Sequence, residues 1–169
     1  MTDQNRPQCG TGRMKASQLI RELQIQLISL LEDPEFAQSR RDRALQRKGG
    51  IEDAIIRHNW TVSEEILHRD ASSASGTVSH RKISNFRNHI SGYLEKNSTG
   101  NKGYDRYIAI VSEYLSLIVH QPLHPLAVRH LEYEPPADSD DRKYCCLKMR
   151  YIKDPNSLCR YCNCLPWPE

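Results

Sequence analysis

The residues of this 169-residue chain that could do chemistry are concentrated near its end, where five of the six cysteines lie between positions 145 and 164. The segment from Cys159 to Cys162 is a C-x-x-C motif, and Cys164 follows it. Two thiolates at this spacing can bind one metal ion from a tight turn. A redox couple, a disulfide and inert thiols are the competing interpretations. We favour a metal site, with zinc ahead of an iron–sulfur cluster, because the spacing matches no common ferredoxin motif.

A third sulfur ligand would come from upstream, where Cys145 and Cys146 are adjacent. Neighbouring cysteines rarely bind one ion well, so we expect one of the pair to be a ligand. The turn signal Asp154-Pro155-Asn156 lies between the two groups of cysteines and could bring them together.

The fourth ligand has two candidates, since structural zinc sites use four Cys or His side chains in a tetrahedral arrangement. Cys164 is local, but a C-x-x-C-x-C run strains a single tetrahedral centre. His124 is remote, and the prolines of PLHP on either side would hold it outside a helix. A histidine ligand from that position would also clamp the cysteine-rich end to the rest of the protein.

Basic residues surround the cysteines, since positions 142 to 164 contain six basic residues and one acidic residue. A positive environment lowers the pKa of thiols and offsets the charge that thiolates bring. Four aromatic residues are interleaved with these bases: Tyr144, Tyr151, Tyr161 and Trp167. Such rings can stack on nucleic-acid bases, but we favour packing of the small module against the body.

Arginines form two further groups of candidate anion or nucleic-acid contacts. Arg40, Arg43 and Arg47 fall on one face of a predicted helix, and Arg150 and Arg160 lie among the cysteines. A solvated helix face is the commoner explanation of such a pattern. Contact with phosphate or with an acidic partner is the functional alternative.

Apolar periodicity predicts an all-α body that resembles a helical bundle. Six segments are predicted as helices: 14–33, 34–50, 51–60, 61–68, 79–96 and 103–122. Ser17 is expected to cap the first helix and Thr61 the fourth. Pro34, Gly49-Gly50 and Pro122 are expected to end helices.

The first and last predicted helices supply most of the expected core. The first carries an apolar stripe formed by Leu19, Ile20, Leu23, Leu27, Ile28, Leu30 and Leu31. The last is the most apolar and is predicted to lie at the centre of the core.

The segments between the helices set the domain boundaries. Residues 71–79 are predicted as a loop, no strand is expected before residue 143, and a small hairpin is an option in YCCLKMRYI. The chain then divides into a disordered tail, a helical body, an acidic spacer and a cysteine-rich knuckle packed on the body: residues 1–14, 15–131, 132–141 and 142–169.

Composition excludes several classes of protein. The formal net charge of +3 is mild and neither demands nor excludes an anionic partner. We find no secretory signal and no apolar run long enough to span a membrane, and so expect a cytoplasmic protein. No phosphate-binding glycine loop, paired catalytic carboxylates or nucleophile elbow is present, which favours a non-enzymatic protein.

The sequence QPLHP after an apolar helix, followed by YCCLK and SLCRYCNC, resembles a family of uncharacterised archaeal proteins found mainly in methanogens. The resemblance implies His124, Cys145, Cys159 and Cys162 as the ligand set. This chain departs from the family pattern at Cys146, where proline is expected, and at Cys164, an extra thiol. An anaerobic archaeal cytosol would also let an oxygen-sensitive iron–sulfur cluster survive.

These observations lead to one hypothesis and two alternatives. We expect a non-enzymatic accessory protein, with an unidentified protein partner and a structural zinc ion on His124, Cys145, Cys159 and Cys162. Cys146 and Cys164 are additional candidate ligands. The alternatives are an iron–sulfur or thiol redox protein and a zinc-knuckle protein that binds nucleic acid.

Overall fold

The computed structural model describes residues 12–45, 49–98, 100–124, 144–145 and 148–166. Its helices are α1 (Ala16–Leu31), α2 (Pro34–Leu45), α3 (Ile51–His68), α4 (His80–Lys96), α5 (Lys102–Leu117) and the short α6 (Lys148–Tyr151). Its strands are β1 (Arg13–Lys15), β2 (Thr77–Ser79), β3 (Tyr144–Cys145) and β4 (Leu165–Pro166). The predicted mostly helical body is confirmed.

Helix α5 lies at the centre of the core, as its apolar sequence predicts. It packs against α1, α2, α3 and α4. Its second half is buried on every side, from Ile110 to Leu117, with Ser112, Glu113 and Ser116 among the buried polar residues. Because a helix that is buried all round must pack against several neighbours, α5 fixes the arrangement of the other four long helices.

The apolar stripe predicted on α1 is largely confirmed. Leu19, Leu23 and Leu27 are fully buried, whereas Ile28 is exposed, so the predicted stripe was too wide on that side. The predicted cap at Ser17 is also wrong. Helix α1 begins at Ala16 and follows strand β1 directly, because residue 15 has the extended backbone of a strand end.

The α1–α2 junction is confirmed at the predicted residues. Glu32 and Asp33 separate the helices, Pro34 begins α2, and the backbone N–H of Phe36 donates to Asp33 Oδ1 at 2.9 Å. Proline suits the first position of a helix because that position needs no N–H donor. The Phe36 ring is buried 5.5 Å from the ring of Tyr107, which joins α2 to α5.

Helix α3 runs without a break through residues 51–68, which were predicted as two helices. The cap predicted at Thr61 is therefore wrong. Its hydroxyl donates instead to the carbonyl of Arg57 at 3.1 Å, within the same helix. Burial of Val62 and Ile66 against the core continues the helix past the local capping signal.

Helices α4 and α5 begin at side-chain caps. Ser79 Oγ accepts from the backbone N–H of Lys82, and Asn101 Oδ1 accepts from that of Tyr104. The predicted end of α5 at Pro122 is wrong, since the helix ends at Leu117. Two residues beyond its C-cap, at His120, the backbone takes a positive φ of 52°.

A small antiparallel pair joins β1 to β2, with Met14 opposite Val78. The loop predicted for 71–79 is thus wrong in part, because a 3-10 turn and strand β2 form there. The predicted boundary of the tail falls inside β1, and residues 1–11 lie outside the described residues. Three-residue strands with no hairpin turn between them leave too little pattern in the sequence to be predicted.

None of the helices in the described part of the chain has both the length and the apolar content needed to cross a bilayer.

Candidate functional site

Three of the C-terminal cysteines form one buried group, here called the cysteine cluster: Cys145, Cys162 and Cys164. Their side chains contact one another, and the partly buried Leu123 packs against them. None has more than 6% of its surface exposed. Residues far apart in the sequence therefore meet just beyond the end of α5.

Short backbone elements bring these thiols together. Strands β3 and β4 pair in parallel, so that Tyr144 lies opposite Leu165 and Cys145 opposite Pro166. The ammonium group of Lys148, at the start of α6, donates to the carbonyl of Cys162. A hairpin was considered for YCCLKMRYI, but the described residues of this stretch form one short strand and α6 instead.

The thiols of the cysteine cluster differ in acidity. The Cys164 thiol donates to the sulfur of Cys162, and together with nearby backbone N–H groups and the charge of His124 it lowers the pKa of Cys162 to about 5, against the effect of burial. Donation to Cys162, followed by burial, raises the pKa of Cys164. The arrangement thus favours a thiolate at Cys162 and a protonated thiol at Cys164.

The predicted ligands are only partly brought together. His124 is half-buried, with a buried Nδ1 atom, and it acts electrostatically on Cys162. Cys159 stands outside the cysteine cluster, partly exposed, in a 3-10 turn where its backbone N–H donates to Ser157 Oγ at 3.1 Å. Cys146 lies outside the described residues. Within the described ranges, no three or more His, Cys, Asp or Glu side chains are arranged to hold one metal ion.

The C-terminal segment, meaning described residues 144–145 and 148–166, packs on the helical body through Tyr161. The Tyr161 ring meets the ring of Phe86 edge-on at 5.1 Å, and its hydroxyl donates to the carbonyl of Asn85 at 3.0 Å. His89 lies on the same side of α4, 5.1 Å from the Tyr161 ring. In the described part of the chain, the Tyr161 ring therefore contacts the helical body.

Three hydrogen bonds reinforce this contact. His89 Nε2 donates to the carbonyl of Ser157 at 2.9 Å, and Lys96 Nζ donates to Asn156 Oδ1 at 2.5 Å. On the other side, Asn163 Nδ2 donates to the carbonyl of Ser116 in α5 at 3.3 Å. The segment is therefore anchored to both α4 and α5 on either side of Cys162.

The arginines proposed as anion contacts have intramolecular partners where they are described. Arg40 lies over the ring of Trp60 and 3.7 Å from Glu64, and Arg43 lies 4.0 Å from the ring centre of Tyr104. Arg47 lies outside the described residues. Arg150 and Arg160 are exposed, each beside the ring of the tyrosine that follows it.

An ion pair in the core, Arg87 with Glu113, was missed from the sequence. Its signal was present, because Glu113 interrupts the most apolar helix and a buried carboxylate needs a partner. What the sequence could not provide was the identity of that partner, which lies 26 positions away in α4. The role of Lys148 at the cysteine cluster was missed for the same reason.

Comparison with known proteins connects this architecture to one family. A family model described as an uncharacterized protein conserved in archaea, DUF2115, matches residues 28–166. That range contains His124 and every cysteine of the cysteine cluster. No curated protein and no solved structure gives a match. The chain therefore belongs to the DUF2115 family of uncharacterized proteins conserved in archaea.

Proposed function

We propose that this protein is a non-enzymatic accessory protein whose C-terminal segment is held on the helical body by one structural zinc ion. The proposed ligands are Cys145, Cys162, Cys164 and His124. The observation that carries the proposal is the burial of three cysteines in one cluster, with His124 close enough to act electrostatically on Cys162. Cys and His are the side chains that structural zinc sites use.

The small size of the C-terminal segment supports a structural role. Its own elements are two-residue strands, one four-residue helix and a 3-10 turn. Such elements bury too little apolar surface to be stable alone, and small modules commonly use a metal in place of a core. Zinc binding would then contribute directly to the free energy of folding of this segment.

Four protein ligands also favour structure over catalysis. A catalytic zinc site keeps a coordination position open for water or substrate, whereas a structural site is closed by protein side chains. The cysteine cluster is covered by Leu123 and is at most 6% exposed at each cysteine. The proposal assigns the protein to the cytoplasm, where such thiols stay reduced.

Binding of zinc would require a local rearrangement. The Cys164 thiol now donates to the Cys162 sulfur, and both sulfurs would instead become thiolate ligands. A change of rotamer at a cysteine moves its sulfur by a few ångströms without moving the backbone. Cys159 of the C-x-x-C motif is the alternative to Cys164 as the third sulfur ligand. Variants of the two cysteines can therefore be compared directly.

The test is metal analysis of protein purified without oxygen, together with an ultraviolet–visible spectrum. We expect one zinc per chain and no visible absorbance. The variant Cys164→Ser should lose zinc and expose the C-terminal segment to protease, whereas Cys159→Ser, a matched control in the same segment, should retain both zinc and protection. His124→Ala should weaken zinc binding, because it removes the only proposed ligand from outside the C-terminal segment.

Three results would change the assignment. Loss of zinc in Cys159→Ser but not in Cys164→Ser would restore the C-x-x-C pair as the ligands. Iron with a broad visible absorption band would mean that the site holds an iron–sulfur cluster and not zinc. Protein without any metal, in which a thiol reagent finds all cysteines reactive, would overturn the metal proposal.

A further inference from the structure

A cavity of about 330 Å³ lies where β1, β2 and the start of α4 meet the end of α5. We call it the β1–α4 cavity, and the proposed zinc site does not include any of its residues. Its volume is at the lower end of the range for pockets that bind small molecules. The cavity is lined by described residues of three separate segments of the chain, so its shape depends on the packed fold.

The charged groups on its wall all have one sign. The charged side chains are Arg13 from β1 and Lys82 from α4, and the His120 imidazole comes from the turn after α5. Among the described residues that line the cavity there is no carboxylate. Cationic groups that face one space repel one another, and a bound anion would relieve that repulsion.

Hydrogen bonds fix two of these three groups on the wall. Arg13 Nε donates to Thr77 Oγ1 at 2.5 Å and its Nη2 donates to the carbonyl of Thr77 at 3.1 Å, which holds the guanidinium across the strand pair. His120 Nδ1 donates to the carbonyl of Ser116 at 3.1 Å, so the proton on that nitrogen is assigned. The positive φ of His120 places this side chain in a turn rather than in α5.

The remaining wall is both hydroxylic and apolar. Ser75 and Ser79 provide hydroxyl groups, and Val78, Leu117 and Ile118 provide apolar surface. Hydroxyl groups beside Arg and Lys are common partners of phosphate oxygens. The apolar surface leaves room for an organic group attached to the anion.

We propose that the β1–α4 cavity binds a small phosphate monoester, with its phosphate group on Arg13 and Lys82 and its organic part against Val78 and Leu117. The two cationic side chains, the hydroxyl groups and the cavity volume all favour this class of ligand. A carboxylate of similar size would lack the third oxygen that Arg13, Lys82 and the serine hydroxyls can share.

The test uses phenyl phosphate as the probe, with phenol and inorganic phosphate as comparisons. Amide chemical shifts of the full chain are followed by nuclear magnetic resonance during each titration. We expect saturable shifts centred on Gly76, Thr77 and Ser79, tighter binding of phenyl phosphate than of inorganic phosphate, and no binding of phenol. The variant Lys82→Gln should weaken the binding by about fivefold or more, because a charge-assisted hydrogen bond is lost.

A matched control separates the cavity from the electrostatics of the helix end. Arg81 lies in the same first turn of α4 but does not line the cavity. Arg81→Gln should therefore change the affinity by less than about twofold, since it alters only the general positive field. The double variant with Arg13→Gln and Lys82→Gln should bind phenyl phosphate more weakly than Lys82→Gln alone.

Three outcomes would overturn the proposal. They are equal losses in Arg81→Gln and Lys82→Gln, shifts spread over all arginine-rich faces, and no saturable shift with phenyl phosphate at millimolar concentration. Neither Arg81 nor Lys82 has a side-chain hydrogen bond among those described, so folding of both variants is expected and is checked by the same spectra.

Discussion

Arg87 in α4 binds the carboxylate of Glu113 in α5 through three hydrogen bonds, with Nε at 3.0 Å from each oxygen and Nη2 at 2.7 Å from Oε1. A second carboxylate, Glu22 of α1, lies 3.6 Å from the same guanidinium. The Glu113 side chain is 7% exposed and that of Arg87 is 40% exposed. One arginine thus connects three helices of the core.

The first prediction concerns this ion pair. Arg87→Ala should lower the free energy of unfolding by about 2 kcal/mol, because it leaves the Glu113 carboxylate buried without its cation; solvent access to Arg87 keeps the cost below that of a fully buried pair. Glu113→Gln should cost less, about 1 kcal/mol, because the exposed part of Arg87 can be hydrated. Urea denaturation measures both values. Equal costs for the two variants would contradict the asymmetry in burial.

The second prediction distinguishes a real helix cap from an apparent one. Ser79→Ala should lower the free energy of unfolding by about 1 kcal/mol, because it removes the acceptor of the Lys82 N–H. Thr61→Ala should change it by less than about 0.5 kcal/mol, since Thr61 is an exposed residue inside α3. Both are read from urea denaturation midpoints. A loss of about 1 kcal/mol in Thr61→Ala would mean that α3 is two helices, as the capping pattern predicts.

The third prediction concerns alkaline pH. Burial raises the pKa of Tyr107 to about 12, against a hydrogen bond to Ser63 that lowers it. The buried, protonated Tyr107 contributes fully to stability below pH 10, which is the pKa of an unfolded tyrosine. This contribution is lost as the pH rises towards 12, because the unfolded chain releases the tyrosine proton first. This residue alone should account for about 1 kcal/mol of lost stability at pH 11.

The measurement is the difference in unfolding free energy between pH 8 and pH 11 for the natural chain and for Tyr107→Phe. The variant should show a smaller loss, because phenylalanine has no proton to release. Ser63, the hydrogen-bond partner of Tyr107, is present in both proteins, and its hydroxyl does not ionise between pH 8 and pH 11. An identical pH dependence in the two proteins would show that Tyr107 is accessible to solvent.

The fourth prediction concerns the anchor of the C-terminal segment. Tyr161→Ala should increase amide hydrogen exchange in residues 156–162 by about tenfold, because it removes the contact with Phe86. Tyr161→Phe should have a much smaller effect, since it removes only the hydroxyl that donates to a carbonyl on exposed Asn85. Exchange in α1 should stay unchanged in both variants. No difference between alanine and phenylalanine would show that the ring does not hold the segment.

Long periodic helices were predictable from the sequence, and features set by distant contacts were not. The apolar spacing of α1, α4 and α5 identifies these helices because burial of one face is the main source of their stability. The split predicted at Thr61 failed because core burial outweighs a local cap. The β1–β2 pair and the early end of α5 depend on partners far along the chain, so no local pattern indicates them.

The candidate site follows the same division. Residue type and spacing identify the C-terminal cysteines as a group that could bind a metal ion or act as redox thiols. They do not identify which sulfurs are in contact, because that depends on the pairing of β3 with β4 and on the anchor at Tyr161. The result is that Cys164, and not Cys159, lies in the cysteine cluster with Cys162.

The pairing of β1 with β2 has a consequence for the order in which the protein folds. It joins Arg13 to Thr77 across 64 positions, and closing a chain loop of that length costs on the order of 4 kcal/mol of entropy. Two three-residue strands cannot offset this cost alone, so the ladder should form only after α1 and α3 have packed. The amide of Val78 would then act as a late reporter, protected from exchange only once the α1–α3 unit is complete.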